Sequence, residues 1–93
     1  MSRDKKDGME QDEKIAYRFM PIVIRRFRDE AGLSQQQFAD SLGVSKGFIS
    51  ALEGGRSVPN LDRFIQIADV LSVHPSKLMD ALVEEINKNS NKI

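Results

Sequence analysis

The 93-residue chain contains no cysteine. That absence excludes disulfide staples, a thiol nucleophile and a cysteine zinc site, and it suits a reducing cytosol. No apolar run approaches the roughly 20 residues that span a bilayer, and the opening segment MSRDKKDGMEQDEK has no apolar core for a signal peptide. A soluble, cytoplasmic protein without membrane attachment is expected. Histidine occurs once, at His74 before Pro75, where it reads as a cap or an exposed turn residue. There is no G-x-G-x-x-G, no phosphate-cradling glycine loop and no ligand pair at metal spacing, and Glu84-Glu85 reads as solvated charge. Neither an enzyme, a metal nor a cofactor is expected. Net charge is missing too, because 14 basic residues balance 14 acidic ones. The first 14 residues hold five acids against four bases, and Ile15 to Leu71 holds seven bases against six acids. Phosphate affinity is electrostatic, so a nucleic-acid surface would have to come from local placement of charge.

What the chain has is helical periodicity within a length suited to one domain and one core. Residues 1–14 read as a flexible charged arm, 15–88 as the folded domain, and 89–93 as a polar tail. Ile15, Phe19, Ile22, Val23, Phe27 and Ala31 recur at helical spacing. Pro21 interrupts them, so the first helix is expected to start near Met20 with Pro21 in its first turn, and Lys14 to Phe19 is left as an optional extra turn. Leu61, Phe64, Ile65, Ala68 and Leu71 form the stripe of a fourth helix capped by Asn60. A fifth runs from Pro75 to about Asn87.

Between these lies LSQQQFADSLGVSKGFISALEGGR, residues Leu33 to Arg56. Ser34 and Gln37 have the spacing of a capping box, Phe38, Ala39 and Leu42 share a face, and Gly43 supplies a left-handed stop. These bound a second helix from about Gln35 to Leu42. Val44 then forms an apolar plug, Ser45 is another N-cap, Phe48, Ile49 and Leu52 make the buried stripe of a third helix, and Gly54-Gly55 ends it. A link of about three residues forces the two helices to cross steeply. That is a helix-turn-helix.

These residues resemble the Cro and phage-repressor-like (Xre-type) helix-turn-helix domains. The shared pattern comprises Arg28, Gly32 to Gln35, Phe38-Ala39, Gly43 to Ser45, Ile49 to Glu53 with Gly55, and Pro59. The resemblance covers roughly Ile22 to Leu82 and implies an all-α, compact five-helix, lambda-repressor-like DNA-binding domain. It implies a structural ion pair between Arg28 and Glu53, suited to the planar fork of arginine. It also implies phosphate contacts from Gln35, from the cap Ser45, and from Arg56, Ser57 and Asn60 in the loop after the third helix. Base reading falls to Lys46, Gly47 and Ala51, with Ser50 beside them. Gly47 departs from the pattern, since it carries no group to read a base, and Gly54 replaces a frequently polar residue. Arg63 reads as a further phosphate contact or as a solvated charge, and Arg25 and Arg26 as a solvated face.

The fifth helix has more apolar surface than one core needs. Leu78 and Leu82 fit the core, whereas Met79, Val83 and Ile86 form a second stripe, expected to be a homodimer interface. Folding back of the segment containing Tyr17 and Phe19 over that stripe is the monomeric alternative. The resulting expectation is a cytoplasmic, nucleoid-associated transcriptional regulator that binds double-stranded DNA, a repressor on a palindromic operator. Antitoxin and restriction-controller roles, with a partner protein, use similar bare domains. The alternative is a protein-protein interaction adaptor that retains the fold with weak or no DNA binding.

Overall fold

The computed structural model describes residues 14–90. The charged arm expected over residues 1–14 and the tail over 89–93 lie outside the described residues, apart from Lys14, Asn89 and Ser90. Among the described residues the chain forms five helices and no strand: α1 (Ile15–Glu30), α2 (Gln35–Leu42), α3 (Lys46–Glu53), α4 (Leu61–Val70) and α5 (Pro75–Ser90). Of the helices consecutive in sequence, α2 packs on α3 and α4 on α5, whereas α1 with α2 and α3 with α4 make little contact. Instead α1 lies against α3 and α5, and α2 also lies against α4. No described helix is long and apolar enough to cross a membrane.

The first helix departs from the sequence expectation. It starts at Ile15 rather than near Met20, which leaves Pro21 in its interior. Proline there lacks the N–H that would bond the Tyr17 carbonyl and crowds that carbonyl, a cost of about 3 kcal/mol. Burial offsets it: Phe19 and Met20 enter the core and Ile15 packs against it, at roughly 1.5–3 kcal/mol for each large apolar side chain fully removed from water. Met20 and Ile24 are core residues, whereas Ile22 remains 46% exposed and Ala31 is the exposed C-cap.

The stripe of α4 is corrected in the same way. Phe64, Ala68 and Leu71 are buried as expected, but Ile65 is exposed and Ile67 is fully buried. At about 100° per residue, Ile65 falls to one side of the arc that Phe64, Ala68 and Leu71 share. In α5, Leu78, Ala81 and Leu82 complete a core whose centre is Val23, Ile24, Phe38, Ala39, Ile49, Leu52 and Ile67.

Candidate nucleic-acid interface

Local chemistry sets the bounds of α2 and α3. The Ser34 hydroxyl accepts from the Gln37 N–H at 3.0 Å, and the Ser34 N–H donates to Gln37 Oε1 at 2.8 Å, so the capping box is formed. Gly43 ends α2 in the left-handed region at φ 72°, and the Val44 N–H returns to the Ala39 carbonyl at 3.0 Å. Val44 packs half-buried on the core. The Ser45 hydroxyl then accepts from the Phe48 N–H at 3.1 Å and starts α3.

Arg28 and Glu53 lock this unit to α1. Arg28 Nε donates to Glu53 Oε2 at 2.6 Å and Nη2 to Oε1 at 3.0 Å, the parallel two-bond arrangement a guanidinium makes with a carboxylate. Arg28 Nη1 also donates to the Leu33 carbonyl at 2.7 Å, reaching the turn before α2. The two side chains are only 10% and 5% exposed, so the pair is a buried one. Burial alone would raise the Glu53 pKa, but hydrogen bonds from Arg28 and Gln35 and the charges of Arg28 and Arg25 outweigh it and hold the carboxyl below its ordinary value. Its hydrogen bond to Glu53 raises the Arg28 pKa against the opposing effect of burial.

The Gln35 side chain also has a structural role. Its Nε2 donates to Glu53 Oε1 at 3.0 Å, so the amide joins the ion pair and helps bind α2 to the end of α3. That bond uses one of the two amide hydrogens, so a second side-chain N–H remains beside the main-chain N–H at the helix N-terminus. Gln36 donates to Asp40 Oδ1 at 2.9 Å along its own helix.

The outer side of α3 is shaped by what its inner side buries. Ile49 and Leu52 point into the core, and at about 100° per residue Gly47, Ser50 and Ala51 fall on the opposite side, with Lys46 at its edge. Lys46 and Gly47 are exposed, Ser50 and Ala51 half-buried. All four expected base-reading positions therefore share one accessible face, whose only long side chain is Lys46.

The loop after α3 is built by two glycines. Gly55 has φ +80°, and a Cβ there would meet the Tyr17 carbonyl at 3.4 Å, so the loop packs against the carbonyl that Pro21 leaves without its helical donor. A Cβ on Gly54 would lie 2.8 Å from Arg56 Nη1 and 3.0 Å from the Ser50 carbonyl. The bare Gly54 therefore makes room for the Arg56 guanidinium beside the end of α3. Arg56 and Asn60 are exposed and Ser57 is half-buried. Asn60 Oδ1 accepts from the Arg63 N–H at 2.8 Å, the N-cap of α4.

Three charged residues have partners that their spacing in the sequence did not indicate. Arg63 is half-buried: its guanidinium lies 5.2 Å from the centre of the Phe48 ring, and Nη1 donates to Gln66 Oε1 at 2.9 Å and to the Leu42 carbonyl at 3.4 Å. It is a partly exposed cation that is also bonded within the protein. Glu85 is not simply solvated either, since its side chain is 12% exposed and stands 3.8 Å from both Arg26 and Lys88. Arg26, placed on a solvated face by the sequence, is its partner. The apolar stripe of α5 is also narrower than expected: Met79 and Val83 are 41% and 45% exposed, but Ile86 is half-buried and packs on the core.

Comparison with known proteins agrees with this geometry. A family model described as Helix-turn-helix matches residues 24–78. The chain is 42% identical over 52 residues to an uncharacterized HTH-type transcriptional regulator of Methanothermobacter thermautotrophicus, covering 56% of this chain and 75% of that protein. It is 34% identical over 55 residues to the uncharacterized HTH-type transcriptional regulator YazB of Bacillus subtilis, covering 59% and 80% of the two chains. In structure it resembles the clp gene regulator ClgR from Corynebacterium glutamicum, with a TM-score of 0.76 at 18% identity over 82% of this chain and 81% of that one. The capped turn, the Arg28–Glu53 pair and the span of the family match coincide, and the chain belongs to the Cro and phage-repressor-like (Xre-type) helix-turn-helix family of DNA-binding transcriptional regulators.

Proposed function

We propose that this protein is a homodimeric repressor that occupies a palindromic operator and thereby blocks a promoter in the cytoplasm. The observation that carries the proposal is the accessible face of α3, where Lys46, Gly47, Ser50 and Ala51 stand opposite buried Ile49 and Leu52. In a major groove Lys46 donates to guanine O6 and N7, Ser50 bonds a base edge, and Ala51 touches a thymine methyl. Gly47 contributes close backbone approach rather than a contact of its own.

Phosphate contacts flank that face. Arg56 supplies charge, the first-turn N–H groups of α2 and α3, at Gln35 and beyond the Ser45 cap, supply donors, and Ser57 and Asn60 line the following loop. The Gln35 amide, which gives one N–H to Glu53, keeps a second for the same set. Dimerisation would use Met79 and Val83, one helical turn apart and exposed on α5, with Ile86 contributing only its outer edge. A twofold pairing sets two recognition helices about 34 Å apart, one turn of B-DNA. Sedimentation at micromolar concentration should show a dimer of 2 × 10.5 kDa; a purely monomeric species would rule this pairing out.

Titration of duplex DNA across a salt series tests the function. The expected plot of log affinity against log salt is a line with a negative slope of several units. A flat line would refute DNA binding and leave the adaptor role, toward which the chain's zero net charge points.

A further inference from the structure

We infer that Arg63 is a positioning residue for the recognition helix, a tether from α4 that fixes the first turn of α3, rather than a phosphate ligand. The inference rests on the DNA-reading role of α3. Three contacts carry it. The guanidinium faces the Phe48 ring at 5.2 Å, and Phe48 is the third residue of α3, directly after Gly47. The same group reaches the Leu42 carbonyl at 3.4 Å, the last residue of α2, where carbonyls lack intrahelical donors. Gln66, one turn along α4, accepts from Nη1 at 2.9 Å and holds the guanidinium in place. One side chain thus touches both helices of the helix-turn-helix from a third.

The tether is placed where α3 is weakest. Gly47 in its first turn gives the backbone more freedom than alanine would, and the Ser45 cap holds the turn only from the N-terminal side. A cation over Phe48 at 5.2 Å bridges that turn to α4, which otherwise makes little contact with α3, and the contact with Leu42 ties both to the end of α2. Lysine keeps the charge but lacks the planar fork that makes these contacts together.

Duplex binding by the wild type and by Arg63→Lys, Arg63→Met and Phe48→Leu, each confirmed folded by its melting temperature, tests the assignment. If Arg63 positions α3, both Arg63 variants lose about 3- to 10-fold in affinity for a selected duplex relative to a random one. Phe48→Leu gives a similar loss that is not additive with Arg63→Lys, and the salt slope stays the same throughout. If Arg63 is a phosphate ligand, Arg63→Lys binds normally and Arg63→Met reduces the slope by about 0.9. That result overturns the assignment, as does wild-type discrimination in both Arg63 variants. Hydrogen exchange reads the tether without DNA: α3 amides should exchange faster in Arg63→Lys while α5 amides do not, and unchanged α3 exchange would also overturn it. Wild-type protein that fails to bind any duplex would defeat the DNA-reading role alone, since the exchange result still decides whether Arg63 holds α3.

Discussion

Replacing Arg28 by alanine deletes both bonds to Glu53 and the bond to the Leu33 carbonyl. Glu53 is then left as a carboxylate with a side chain 5% exposed, with the Gln35 amide as its remaining neutral donor. Removing one partner of a buried ion pair costs about 3–5 kcal/mol, a large share of the roughly 5–15 kcal/mol that holds a small domain together. At about 4–8 °C per kcal/mol for a domain of this size, the melting temperature should fall by at least about 12 °C. Circular dichroism melts at pH 7 measure it directly. A double variant, Arg28→Met with Glu53→Met, should recover most of the loss, because packed apolar groups can replace a buried pair at little cost. The pH dependence has a definite sign. Glu53 has a lowered pKa in the folded state, so its contribution is present above the ordinary glutamate value of about 4.3 and is lost as pH falls through the lower folded value. The gap between wild type and Arg28→Ala should therefore be widest near neutral pH and narrow below about pH 4. A drop of less than about 4 °C at pH 7, corresponding to under 1 kcal/mol, would refute the claim that this pair ties α1 to the helix-turn-helix.

Two backbone positions give further expectations. Gly55→Ala should destabilise the fold by about 1–2 kcal/mol in urea titration, because φ is +80°; unchanged stability would contradict the left-handed conformation of this loop. Ser72 is a non-glycine residue at φ 61° just past the end of α4, so Ser72→Gly should stabilise by up to about 1 kcal/mol, and a loss of stability would contradict the left-handed assignment.

How much could be read from the sequence follows from how local each determinant is. The bounds of α2 and α3 are set by groups three residues apart, Ser34 with Gln37 and Ser45 with Phe48, and by the left-handed Gly43, so they were legible before any packing was known. The start of α1 was not, because the local penalty of Pro21 is outweighed by burial of Phe19 and Met20 against helices later in the chain. The Arg28–Glu53 pair spans 25 residues and came from family resemblance rather than from spacing. The bond from the Gln35 amide to Glu53, 18 residues away, and that from Arg63 to Leu42, 21 residues away, were not legible for the same reason. A polar side chain at a helix start shows no internal partner until the element facing it is known. The outward face of α3 was legible by periodicity, since burial of Ile49 and Leu52 fixes which residues turn outward, but its mostly small side chains say little about which bases such a face would read.

The most direct test of the account is selection of bound sequences from a random duplex library by the wild-type protein. The expected outcome is enrichment of two symmetry-related half-sites with centres about 10–10.5 base pairs apart, and loss of preference at a guanine position in Lys46→Ala. Recovery of a pool with no enriched sequence would contradict a reading head at Lys46, Ser50 and Ala51.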